Sequence, residues 1–195
     1  MSRHSTSSPL SALRAVIQTC AALSVLSVNP VAGAPPIDRL TEITAFFEGS
    51  NVTLLSAVIA ARGECPAGTP FRAGISRRHP EHAIEVLFLA ANRKRVVRVE
   101  IDAICGDVLA AEDEPAVPKE IADLLVFARD RPDRLEVALK CASKNKQRTV
   151  IGAELQQRNN APPIAQITVL RPTGFSDLLI ESTDDESIEL VHSKK

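Results

Sequence analysis

The stretch His79-Pro80-Glu81-His82 is the one place where the chain gathers side chains of metal-ligand type. Two imidazoles and a carboxylate are donors that zinc accepts. A metalloprotease helix would carry two such histidines one turn apart on one face. Pro80 breaks that helix, and the histidines stand three positions apart instead. No Cys or Asp lies near them in sequence, and His4 and His192 are remote. The stretch therefore reads as a solvated loop between two strands, with no metal and no cofactor expected. No Gly-x-Ser-x-Gly nucleophile elbow occurs, nor a glycine-rich phosphate loop. The carboxylate runs Glu112-Asp113-Glu114 and Asp184-Asp185-Glu186 fall in a predicted linker and a predicted turn, where such runs are solvated surface. No catalytic residues are assigned, and the expectation is that the chain is not an enzyme.

Charge narrows the partners. The 23 basic and 24 acidic residues leave a net charge of −1. A general nucleic-acid binder needs a basic footprint to release counterions, so nucleic acid is not expected as a partner. Six Phe, no Trp and no Tyr leave an aliphatic core and little with which to stack bases or sugars. Arg77-Arg78 and the run Arg93-Lys94-Arg95 with Arg98 could gather on one sheet edge. They read either as solvated turns or as a patch for an acidic partner. Asn51-Val52-Thr53 is a formal glycosylation sequon, but its place at a helix cap argues against its use.

The N-terminus reads as an export signal over residues 1–34. Arg3, His4 and Arg14 precede an uncharged run of 14 residues, Ala15 to Val28. Asn29-Pro30 breaks the run, and Val31-Ala32-Gly33-Ala34 supplies small residues for cleavage. The run is shorter than the roughly 20 residues a membrane-spanning helix needs, so no stable span is expected once the signal is removed. Ile17-Gln18-Thr19 before Cys20 makes a poor lipidation signal. The expected location is periplasmic or secreted. That compartment permits disulfides, and Cys65, Cys105 and Cys141 remain in the mature chain.

The elements that would position these groups come in two rounds. Residues 36–63 align without a gap on 117–144 at an offset of 81. Phe46 meets Phe127, Leu54 meets Leu135, Ala57 meets Ala138 and Ala61 meets Ala142. The apolar matches recur at helical spacing. Each copy reads as two helices and then strands. In the first copy Gly49 would stop the first helix in a left-handed conformation, and Asn51 would cap the second. In the second copy Asp133 takes the capping role. After Gly63 the apolar period changes to two. Strands are expected at Thr69–Ser76, Ala83–Ala90, Val97–Asp102 and from Val108, then at Thr149–Gln156, Ile164–Leu170, Phe175–Glu181 and Ile188–His192. The expected fold class is α+β, with helices packed on a small antiparallel meander sheet, made twice. The expected boundaries are a first unit at 35–111, a linker at 112–117 and a second unit at 118–193.

Two segments of the first unit carry a family resemblance. They are the helix Leu55-Ser56-Ala57-Val58-Ile59-Ala60-Ala61 and the stretch VRVEIDAICGDVL, Val97 to Leu109. A valine-rich strand, Asp102, three residues, Gly106 and the apolar pair Val108-Leu109 resemble the end of a PepSY domain. An Asp bonding the amides that follow it and a Gly free to take positive φ would close such a hairpin. The second copy departs from the pattern, with Glu181 for the Asp and Asp185 near the Gly position. It would be a divergent PepSY-like unit. PepSY domains resemble peptidase propeptides and are thought to inhibit or regulate peptidases outside the cytoplasm.

The resemblance implies an exported, non-catalytic binding module that contacts a secreted or envelope protein, a peptidase among the candidates. The alternative is a structural or small-ligand-binding envelope protein. A disulfide between Cys65 and Cys105 is expected, because Cys65 follows the second helix and Cys105 lies in the Asp102–Gly106 turn. In a helix-on-sheet unit those points can share one end of the sheet. Cys141, beside the buried Ala142, reads as a small core residue with a free thiol; the rival pairing joins Cys141 to either of the others or links two chains through it.

Overall fold

Alternation of apolar and polar residues builds strands in both halves of the chain, and hydrogen bonding joins them all. The computed structural model describes residues 37–90, 95–114, 131–158, 161–171, 174–182 and 188–192. The described helices are α1 (Ile37–Gly49), α2 (Leu54–Ala61) and α3 (Arg134–Ala142). The strands are β1 (Thr69–Ile75), β2 (Ala83–Leu89), β3 (Val96–Asp102), β4 (Val108–Glu114), β5 (Thr149–Arg158), β6 (Ala161–Arg171), β7 (Gly174–Ser182) and β8 (Ile188–His192). The expected export signal and the first helix of the second copy lie outside the described residues.

The eight strands form a single sheet in the order β4-β3-β2-β1-β5-β6-β7-β8. All neighbours are antiparallel. This corrects the expectation of two PepSY-like units, each with its own small sheet. The first strands of the two rounds pair with each other, Arg72 with Glu154, Ala73 with Ala153 and Gly74 with Gly152. Residues 34–195 accordingly form one compact unit. The reason is physical: two four-stranded sheets would each expose an apolar first strand at an edge, and pairing those edges satisfies both ladders. The expected linker is also corrected at its start, since Glu112-Asp113-Glu114 ends β4.

One sheet face carries the core. Ile84, Val86 and Phe88 of β2 face the same way as Val97, Val99 and Ile101 of β3. Ala153 and Leu155, then Ala165, Ile167 and Val169, and finally Leu178 and Ile180 extend this face across the second half. Against it lie the stripes of α2 (Leu54, Ala57, Val58, Ala61) and α3 (Leu135, Ala138, Leu139, Ala142), all buried. Each large aliphatic side chain taken fully out of water contributes about 1.5–3 kcal/mol. The stripes match position for position at the offset of 81, as the alignment requires. The helices also touch: Arg62 at the end of α2 donates from Nε to Glu136 of α3 at 2.7 Å. Phe46 and Phe47 of α1 pack edge to face and join the margin of the same core.

The caps differ from expectation. Thr53, not Asn51, caps α2, in a reciprocal box with Ser56. Asn51 turns away and donates to the Ile104 carbonyl at 3.3 Å. Asp133 precedes α3 but makes no side-chain cap bond. Gly49 is not left-handed; the positive-φ glycines among the described residues are Gly106 and Gly174.

Candidate functional site

The turn between β1 and β2 is built around Ser76. Its side chain is buried, and Oγ accepts from the amides of Arg78 and His79, each at 3.1 Å. The same hydroxyl donates to Glu100 Oε1 of β3 at 2.6 Å. The amides of His82 and Ala83 both return to the His79 carbonyl, at 3.3 and 3.0 Å. Pro80 holds its φ near the turn value. The result brings His79 and His82 onto one side, with ring centroids 5.4 Å apart. Glu81 Oε1 lies 2.9 Å from His82 Nδ1 and 3.9 Å from His79 Nδ1. The sequence reading treated this stretch as a plain solvated loop. Its side chains are indeed open to solvent, yet the turn gathers them.

The neighbouring turn, from β3 to β4, has the form expected of it. Asp102 Oδ1 accepts from the amides of Ile104 at 2.7 Å and Cys105 at 2.9 Å. Gly106 takes φ +81°. The amides of Cys105 and Ile104 hold the Asp102 carboxyl below its ordinary pKa. The corresponding turn of the second half, with Asp184-Asp185-Glu186, lies outside the described residues.

The sheet face opposite the helices carries the charged side chains of the strands, with Leu87, Leu89 and Val96 among them. Glu85 and Glu100 oppose each other directly across β2 and β3 and are both buried. Two carboxylates so placed need separate partners. Arg98 reaches Glu85 through Nε at 3.1 Å and Glu114 through Nη2 at 2.6 Å, while Glu100 takes Ser76. Arg78 pairs with Glu112 and Glu114, and Arg95 with Asp113 at 2.5 Å. Burial lowers the pKa of Arg72, and Arg77 adds to that; Glu154 and Glu85 act the other way. Of the expected basic patch, Arg78, Arg95 and Arg98 gather at β3 and its surroundings as partners of the acidic run. Arg93 and Lys94 lie outside the described residues. Further along, Gln156 bonds Gln166, and Thr168 donates to Asp177 at 2.8 Å.

The disulfide is corrected. Cys65, Cys105 and Cys141 are all free. Cys65 sits before β1, whose first residue pairs with Leu89, which in turn pairs with Val96. Cys105 follows Asp102, at the far end of β3. The seven residues of β3 span about 20 Å. A bridge tolerates Cα separations only to about 7 Å. Burial raises the Cys65 pKa. At Cys105 the Asp107 amide acts downward, but desolvation and the Asp107 and Asp102 carboxylates outweigh it, and that pKa rises as well. Neither thiol is poised as a nucleophile.

The residues that sequence reasoning missed are Ser76 and the buried pair Glu85 and Glu100. Strand alternation places Glu100 on the side away from Val97, Val99 and Ile101. It could not show that Arg98 and the Ser76 turn would close over that face. Comparison with known proteins adds little here. No family profile matches the chain, and no curated protein does. A crystal structure of a candidate lipoprotein from Clostridium difficile 630 overlaps 73% of this chain and 95% of its own. It does so at 14% identity and a TM-score of 0.40.

Proposed function

We propose that this chain is an exported, non-catalytic binding module whose contact surface is the sheet face opposite the helices. The partner is another secreted or envelope protein, and a peptidase is the class that the PepSY-like segments imply. One observation carries the reading. The helix side of the sheet is filled by an apolar core, whereas the opposite side carries charged, hydroxyl and amide side chains, among them Arg72, Glu154, Gln166, Thr168 and Asp177, interspersed with Leu87, Leu89, Val96 and Leu179. Among the described residues, no helix packs on that side. A broad face with prearranged donors and acceptors suits a wet, specific protein contact. The export assignment rests on the N-terminal signal pattern and a peptidase partner on the hairpin residues Asp102, Gly106, Val108 and Leu109.

The test is to present the purified chain to a panel of secreted peptidases, measuring inhibition and surface-immobilised binding. Thr168→Arg and Gln166→Arg alter the open face. Ile59→Arg alters an exposed position on α2 and serves as the control. The expected result is at least tenfold weaker binding for the face variants and wild-type binding for the control. Absence of any bound or inhibited peptidase, or equal binding by all variants, would end the proposal.

A further inference from the structure

We propose that the β1–β2 turn is a zinc-type metal site, with His79, Glu81 and His82 as ligands and Glu100 as the residue that positions His79. This inference stands independently of the binding-module reading. The three donors lie within 4.8 Å of one another. Zinc bonds to nitrogen and oxygen are about 2.0–2.2 Å, so the edge of the coordination tetrahedron is about 3.4 Å. The separations of 2.9 Å from Glu81 to His82 and 3.9 Å from Glu81 to His79 lie on either side of that edge. Side-chain rotation within an exposed turn closes the difference. The backbone is already fixed by Pro80, by the bonds to the His79 carbonyl and by Ser76.

The second observation is Glu100. A histidine that binds metal through one ring nitrogen needs its other N–H oriented, and a carboxylate is the usual partner. His79 turns Nδ1 toward Glu81, while Nε2 lies 3.8 Å from Glu100 Oε2. Glu100 is 3% exposed, and its other oxygen is held by Ser76. It is therefore anchored at one oxygen by Ser76, with the other oxygen facing His79. Ser76 thus holds Glu100 on the Nε2 side of His79, and a small rotation of the exposed imidazole would bring Nε2–H within hydrogen-bond reach and leave Nδ1 free to bind. Two neutral imidazoles and one carboxylate give a site of net charge +1 with divalent zinc, which Glu100 offsets. The ligands fill three positions, and the fourth is open to water or to a donor from another molecule. The second half of the sheet has no equivalent: Asn160, Ala161, Pro162 and Pro163 occupy the matching positions.

The experiment uses the full, untagged chain titrated with cobalt(II), a coloured substitute for zinc, followed by displacement with zinc. One equivalent should bind, with tetrahedral d–d absorption and without a thiolate-to-cobalt charge-transfer band. His79→Ala and His82→Ala should each weaken binding at least tenfold, and Glu100→Gln by about 10- to 100-fold. Circular dichroism of each variant establishes that it is folded, and the exposed variant His82→Ala keeps the test decisive if Glu100→Gln unfolds. Lack of saturable binding, a thiolate band, or unchanged affinity in folded His82→Ala would each overturn the proposal.

Discussion

The two halves of the sheet share a helix-facing side and part company elsewhere. At the offset of 81, Ile84, Val86 and Phe88 of β2 correspond to Ala165, Ile167 and Val169 of β6, and all six are buried. Val97 and Val99 of β3 likewise correspond to Leu178 and Ile180. On the other side, Glu85 corresponds to Gln166 and Arg98 to Leu179. The turn bearing His79 and His82 corresponds to a proline pair. Packing against helices constrains one side of both halves in the same way. The free side and the turns carry no such constraint, and among the described residues most of the ion pairs fall in the first half.

The sharpest way to break the comparison is at its largest core residue. Phe88→Ala should cost about 3–5 kcal/mol. Val169→Ala, at the matching position, removes only two methyl-sized groups and should cost about 1.6 kcal/mol. Urea denaturation of both variants measures the gap, and equal losses would mean that side-chain size does not set the difference between the two matching positions. Next is the ion network of Arg98 and Glu85, whose matching positions hold Leu179 and Gln166. Arg98→Ala leaves Glu85 buried without its partner and should cost about 3 kcal/mol, toward the low end because the Arg98 side chain keeps 16% exposure. Adding Glu85→Gln should recover much of that loss in the same assay. The smallest effect lies at the helix caps. Thr53→Ala should cost about 1 kcal/mol, since it removes a formed capping box. Asp133→Ala should change stability by less than about 0.5 kcal/mol, because Asp133 makes no cap bond. Thermal melts of the two variants compare them directly.

Much of this architecture could be read from residue order. The helical stripe of Leu54, Ala57, Val58 and Ala61, its repeat from Leu135, and the strands of both halves are local patterns, and local patterns survive folding. The joining of the halves was not legible, because edge pairing depends on which strand ends up unpaired. The offset itself hides one detail. Ala73 faces the core beside Ala153, an offset of 80, while the flanking α2 and β2 keep 81. A slip of one residue in a strand exchanges its faces, so uniform alignment would have turned Ala73 toward Glu154. The misplaced disulfide has a different origin. Cys65 precedes β1 and Cys105 follows β3, and in an up-down-up meander those points fall at opposite ends of the sheet, so the expected strand order itself argues against the bridge. At the candidate metal turn, the composition was visible. What could not be seen was Glu100, brought beneath His79 by a strand more than twenty residues away.

The meeting of β1 with β5 carries one last implication. These are equivalent strands, running antiparallel, at the midline of a strand order that reads alike in both directions. Antiparallel contact of a surface with its own equivalent is the arrangement of an isologous twofold interface. The chain thus has the layout of a homodimer whose two subunits have been spliced end to end. Once joined in that way, each subunit is released from having to serve as its own mate. One can then acquire histidines while the other keeps prolines, an asymmetry that no dimer of identical chains could hold.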